Sequence, residues 1–100
     1  MIANIIIKRT FVKDKQKQII SLLNEIRSKA MNQPGYISGE TLFKENAPNQ
    51  MTVIATWQTQ ENWIAWKNSE ERKRYEAMLE IYQEAPTEYD EYLLGTTFHS

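Results

Sequence analysis

The sequence predicts an α+β domain: a four-stranded antiparallel sheet with its helices packed on one face. Three observations carry that expectation. Apolar residues alternate or run continuously over 2–12, 36–44, 51–58 and 89–98, in stretches rich in the β-branched and aromatic side chains that suit a pleated backbone. Between the first and second stretches the apolar period changes to that of a helix, and it does so again between the third and fourth. Proline, glycine, asparagine and serine punctuate the joins.

Residues 2–12 hold five isoleucines and valines together with Thr10 and Phe11, apolar on both faces at first, as in a central strand covered on both sides. From Asp14 the pattern turns helical. Ile19, Leu22, Leu23, Ile26 and Ala30 fall at offsets 0, 3, 4, 7 and 11, one stripe of a helix. Lys15, Gln16, Lys17, Asn24, Arg27 and Lys29 populate its wet side, Asp14 is the expected N-cap, and Pro34-Gly35 ends the segment.

Two strands follow, 36–44 and 51–58, joined by the polar stretch Glu45-Asn46-Ala47-Pro48-Asn49-Gln50, expected to be a hairpin loop. In the second of them Met51, Val53, Ala55 and Trp57 share one face, and Thr52, Ile54, Thr56 and Gln58 the other. Thr59 is the expected N-cap of a helix bearing Trp63, Ile64 and Trp66. Asn68-Ser69 breaks that helix, and Ser69 caps a second one whose first turn holds Glu70 and Glu71. Tyr75, Met78, Leu79 and Tyr82 form the expected inward face, Pro86 stops the helix, and residues 89–98 make a last aromatic strand.

The resulting order, β-α-β-β-α-β, is the ferredoxin-like arrangement, in a single domain spanning 1–100. Nothing within such a chain covers the second face of its sheet. Isoleucine and valine on both faces of the first strand, with Met51, Val53 and Trp57, predict an apolar cover there. The simplest one is a second copy, giving a homodimer through sheet faces.

Composition narrows the function. One hundred residues suffice for one domain and bury roughly 65% of the unfolded surface, so a ligand pocket competes with the core for side chains. The charged residues, 12 basic and 13 acidic, are interspersed and leave a net charge of −1. No basic stripe is available for phosphates, which argues against nucleic acid as a partner. The chain has no cysteine, which excludes disulfides, thiol nucleophiles and thiolate metal sites. In Met1–Ile7 the basic Lys8 and Arg9 follow the apolar run instead of preceding it, unlike a secretory signal, and no apolar run reaches 18 residues. The expected compartment is the cytoplasm, away from the membrane.

Two stretches carry a family likeness. Pro34-Gly35-Tyr36-Ile37-Ser38-Gly39-Glu40-Thr41-Leu42 resembles the start of the second strand in the antibiotic-biosynthesis-monooxygenase family. Trp57-Gln58-Thr59-Gln60-Glu61-Asn62-Trp63-Ile64-Ala65-Trp66-Lys67-Asn68-Ser69-Glu70-Glu71-Arg72 resembles that family's passage from third strand to second helix. With the matching order of elements, the likeness covers nearly the whole chain. It implies a dimeric α+β barrel, two sheets packed together, with a pocket between each subunit's sheet and helices. Activities in the family include cofactor-independent oxygenation of phenolic polycyclic compounds and oxidative degradation of haem. The haem branch carries an asparagine on the first strand, a tryptophan on the second helix and an iron-ligating histidine ten residues further on. Trp66 matches that tryptophan, but Glu76 stands in place of the histidine and Ile7 in place of the asparagine. Glutamate poorly replaces a neutral imidazole on haem iron, so the haem-degrading reading is set aside and no cofactor is expected.

By this resemblance Trp66 lines the substrate pocket; otherwise it is a core anchor between helix and sheet. Trp57 and Trp63 read as packing residues, with Trp57 at the strand end and near the dimer seam. Arg72 and Tyr75, turned inward, would hold an anionic or phenolic substrate through a guanidinium fork and a hydroxyl. Otherwise Arg72 pairs with Glu76 on the surface and Tyr75 is a core residue. Glu76, Glu80 and Glu84 at four-residue spacing read as a solvated helix face. His99, the one histidine, is penultimate, and one histidine without cysteine leaves no metal site or His-based triad. An oxygenase without cofactor must draw electrons from a deprotonated substrate. No base is evident beyond a carboxylate such as Glu40, a water, or the substrate's own acidity. The opposing class is a binding or interaction module without catalysis, whose cavity would be closed by Trp66, Met78 and Tyr82.

Overall fold

Strand β1 (Ala3–Thr10) runs through the middle of the sheet, pairing antiparallel with β3 (Ala47–Trp57) on one side and β4 (Glu88–Leu93) on the other. Strand β2 (Tyr36–Lys44) flanks β3, so the order is β2-β3-β1-β4. Helices α1 (Gln16–Met31), α2 (Gln60–Lys67) and α3 (Glu70–Glu80) complete the ferredoxin-like α+β architecture. This computed structural model describes residues 1–95. Phe98 and His99 lie outside them, and the last strand, expected to begin at Tyr89, begins one residue earlier.

The strands alternate as a half-buried sheet should. Ala3, Ile5, Ile7 and Arg9 of β1 and Met51, Ala55 and Trp57 of β3 are buried, in one core with Ile19, Ile26, Trp63, Trp66 and Leu79 from the helices. Met51 and Trp57 therefore belong to the helix side. They were expected to help make the second face apolar, and they do not. That face carries Ile6, Ile54, Leu42 and Tyr92 instead, among Asn4, Lys8, Glu40, Thr52, Thr56 and Asp90. Ile54, Leu42 and Tyr92 are exposed.

Local chemistry sets most boundaries. Thr59 caps α2, its Oγ1 accepting from Asn62 N at 3.1 Å, and Ser69 caps α3, accepting from Arg72 N at 3.2 Å. The break between them falls at Asn68-Ser69, as expected. Asp14 is not the cap of α1: it takes a left-handed φ of 65° in the preceding turn, a conformation Asp tolerates. Position 15 caps the helix without a side-chain bond. The β2–β3 connection is tighter than expected, a turn at Glu45-Asn46 with Pro48 already inside β3. Proline is accommodated because the β2–β3 register is irregular there, between the pairs Phe43↔Met51 and Lys44↔Ala47. Gly35 turns the chain into β2 at φ +83°, and a Cβ there would stand 2.3 Å from the Asn62 side chain. Only glycine meets both demands.

Helix α3 departs most from expectation. Its buried stripe is Arg72, Glu76 and Leu79, two charged residues and one leucine, while Tyr75 is partly buried and Met78 exposed. The solvated face expected for Glu76 is an interior one.

Candidate functional site

A cleft opens between the sheet and the helices. Its floor is Ile7 and Arg9 of β1, Val53, Ala55 and Trp57 of β3, and Tyr36, Gly39 and Thr41 of β2. Leu23, Ile26, Arg27 and Ala30 of α1 form one wall, and Trp63, Trp66 and Arg72 the other. Its cavity volume is about 70 Å³.

Aromatic contacts build the inner wall. Tyr36 meets Trp57 edge to face at 5.4 Å between centroids, Trp57 lies 6.0 Å from Trp63, and Trp63 lies 6.1 Å from Tyr89. Arg72 Cζ stands 5.1 Å from the Trp63 centroid and 5.4 Å from that of Tyr89, within cation–π range of both. Lys67 Nζ lies 4.5 Å from the Tyr89 ring on the outer side and 3.3 Å from Glu91. The indole N–H of Trp63 donates to the same carboxylate, and this bond above all, aided by Lys67, holds Glu91 below the ordinary carboxylate value against the opposing effect of burial.

At one end sits a charged group. Arg9 donates to Glu76 through two bonds, Nη1 to Oε2 at 2.8 Å and Nη2 to Oε1 at 2.6 Å. Arg72 Nη2 approaches Oε1 at 3.1 Å and donates to the Tyr89 hydroxyl at 3.0 Å. Gln83 and Thr87 stand 3.4 Å from Arg9 Nη1, and Thr87 also donates to Glu76. All three ionic side chains are buried: Arg9 is 4% exposed, Arg72 3% and Glu76 8%. Burial works to raise the Glu76 pKa, but the hydrogen bonds and charge of Arg9, with the charge of Arg72, outweigh it and leave the group lowered. Glu76 is thus an ionised counter-charge, not a proton carrier.

The mouth lies where α1 meets β2. Arg27 reaches across it, donating to Gly39 O at 3.2 Å and to Thr41 Oγ1. The Tyr36 hydroxyl packs close over Gly39, where a Cβ would lie 2.8 Å from it and displace it.

Of the residues singled out from sequence, Trp66 and Arg72 line the cleft together. Trp66 is at the same time a core residue, 4% exposed. Tyr75 does not join them: it packs partly buried against the core and lines a separate groove with Lys29 of α1 and Arg74 and Met78 of α3. The Arg72–Glu76 pair exists, buried instead of superficial. Trp57 and Trp63 pack as expected and also line the cleft, with Trp57 away from the open sheet face. Glu40 is exposed, and its neighbours Gly39 and Thr41 line the cleft, so alternation turns Glu40 away and removes it as the base. Arg9, Glu76, Arg27 and Tyr36 were missed. The alternation Ala3, Ile5, Ile7, Arg9 already placed Arg9 on the buried face, a signal that its charge obscured. Among the described residues no three His, Cys, Asp or Glu side chains gather as metal ligands, and no helix is long and apolar enough to cross a membrane.

Known proteins of similar shape share this architecture. A conserved protein from Methanosarcina mazei Go1 superposes with a TM-score of 0.85 at 15% identity, covering 92% of this chain and 91% of its own. SnoaB, a cofactor-independent oxygenase from Streptomyces nogalater, gives 0.81 at 14% identity with both chains fully covered. Rv0793 from Mycobacterium tuberculosis gives 0.82 at 12% identity, again over both full lengths. At these identities the likeness is one of fold. No curated protein is similar enough in sequence to count as a match. The antibiotic biosynthesis monooxygenase family model, however, matches residues 2–78, and the chain belongs to that family.

Proposed function

We propose that this protein is a cofactor-independent monooxygenase acting on a small phenolic or enolisable aromatic compound held between its sheet and its helices. The observation that carries the reading is the cleft, with three tryptophans along its walls and two buried arginines at one end. The tryptophans stack and orient a planar ring. Arg72 and Arg9 favour the deprotonated form of the substrate, lowering the barrier to forming an enolate or phenolate. That anion supplies the electrons: its carbon bonds to dioxygen, and protonation gives a hydroperoxide. Loss of water then leaves a carbonyl, so one oxygen atom enters the product and the other leaves as water. Deprotonation falls to water and to the substrate's own acidity, because Glu76 is committed to two arginines and Glu40 faces away.

That missing base favours a second reading, binding without turnover, in a protein of the same fold. Oxygen uptake separates the two. With a panel of hydroxylated aromatics, saturable quenching of tryptophan fluorescence together with uptake supports the oxygenase, and quenching alone supports the binding protein.

We further propose a cytoplasmic homodimer joined through the open sheet faces, where Ile6, Ile54 and Leu42 of one chain meet their counterparts in a second copy.

A further inference from the structure

The cleft holds more positive charge than its own carboxylate neutralises. Arg9 and Arg72 share Glu76, all three buried, and Arg27 at the mouth adds a further cation. A guanidinium held from water without a full counter-charge is unfavourable until something anionic joins it. Independently, two polar atoms on the cleft lining lack partners. Nε of Arg9 and Nε1 of Trp57 are withdrawn from solvent with no acceptor among the described residues, and both side chains line the cleft. Buried donors are almost always paired, so two orphans on side chains that line one cleft point to a ligand that completes them as it seats. Among the described residues only Nη2 of Arg72 is engaged, leaving its Nε and Nη1 free.

Spacing limits the ligand. The Trp63 ring lies 5.1 Å from Arg72 Cζ and 6.0 Å from the Trp57 ring, which keeps those two ends within about 11 Å of each other. A span of that order suits one ring with oxygens at opposite ends, each within hydrogen-bond reach of its donor.

We propose that the cleft binds a single-ring aromatic carboxylate carrying a second oxygen across the ring. The carboxylate takes the free donors of Arg9 and Arg72, and the second oxygen accepts from Trp57 Nε1. This rests on the cleft being the substrate site and adds that the substrate is anionic before it reacts.

Titration of the full chain with 4-hydroxybenzoate and with 4-hydroxybenzamide, its neutral counterpart, tests this by tryptophan fluorescence, since all three tryptophans line the cleft. The acid is expected to bind about tenfold or more tightly than the amide, the contribution of one charge-assisted hydrogen bond. Arg72→Met leaves Arg9 and Glu76 as a balanced pair, so it is expected to fold and to erase the preference. Trp57→Phe keeps a ring but removes the donor, and is expected to weaken both ligands about fivefold while preserving their ratio. Equal binding, preference for the amide, no saturable quenching by the acid, or a preference that survives Arg72→Met would overturn the proposal. Should Arg72→Met fail to fold, unchanged affinity in Trp57→Phe overturns it instead. Oxygen uptake is followed in parallel. Acid preference without uptake of oxygen removes the oxygenase reading and keeps the anion site, whereas uptake with neutral phenols alone removes the anion site and keeps the oxygenase.

Discussion

Arg9 at the end of β1 and Glu76 in α3 form a two-bonded ion pair, at 2.8 and 2.6 Å, across 67 residues of sequence. The pair ties helix to sheet at the end of the cleft, and Arg72, one turn before Glu76, leans on the same carboxylate. A buried ion group of this kind holds together only while each member keeps its partner.

Glu76→Gln should therefore be strongly destabilising. It leaves two buried guanidiniums without a counter-charge, a loss of about 3–5 kcal/mol. Urea denaturation at neutral pH measures it, and a change under about 1 kcal/mol would mean that water reaches the group freely.

The same carboxylate sets an acid limit. Its folded pKa lies below the ordinary value of 4.5, so its contribution is complete above about pH 4.5 and is lost as pH falls through the folded value. Unfolding free energy should stay level from neutral pH to about 5 and then decline. In Glu76→Gln the decline should be shallower, though not absent, because Glu91 is lowered as well and acts with the same sign.

Gly35→Ala tests the turn into β2. The added methyl meets Asn62 at 2.3 Å while the backbone stays left-handed. A loss of about 2–4 kcal/mol is expected in thermal or chemical unfolding. Thr59→Ala, which removes the cap bond from Asn62 N and the hydroxyl bond to Asn62 Oδ1, should cost about 1 kcal/mol.

The proposed dimer is tested by mass. Light scattering at micromolar concentration should give twice the chain mass of 11.8 kDa. Ile54→Lys, placed on the open face beside Ile6 and Glu40, should return it to monomer without lowering the monomer's own stability. A wild-type mass of 11.8 kDa would end the proposal.

Much of the fold was readable in the chain. The stripe from Ile19 to Ala30 and the caps at Thr59 and Ser69 depend on neighbours within a few residues, so local pattern identifies them. The site was readable in part. Trp66 and Arg72 line the cleft, but Tyr75 lines a separate groove because the buried stripe of α3 runs through Arg72, Glu76 and Leu79. Read as charges, those residues belong outside; paired, they belong within.

The kinds and order of the elements, the caps at Thr59 and Ser69 and the glycine turn at 35 follow from the amino acids alone, since period, capping and backbone freedom are short-range properties. The tertiary structure decided the rest. It chose which face of β3 meets the helices and let Arg9, Arg72 and Glu76 enter the core. The reason is physical: burying a charge is unfavourable for one residue considered alone, and becomes tolerable only when folding brings a distant opposite charge within bonding distance.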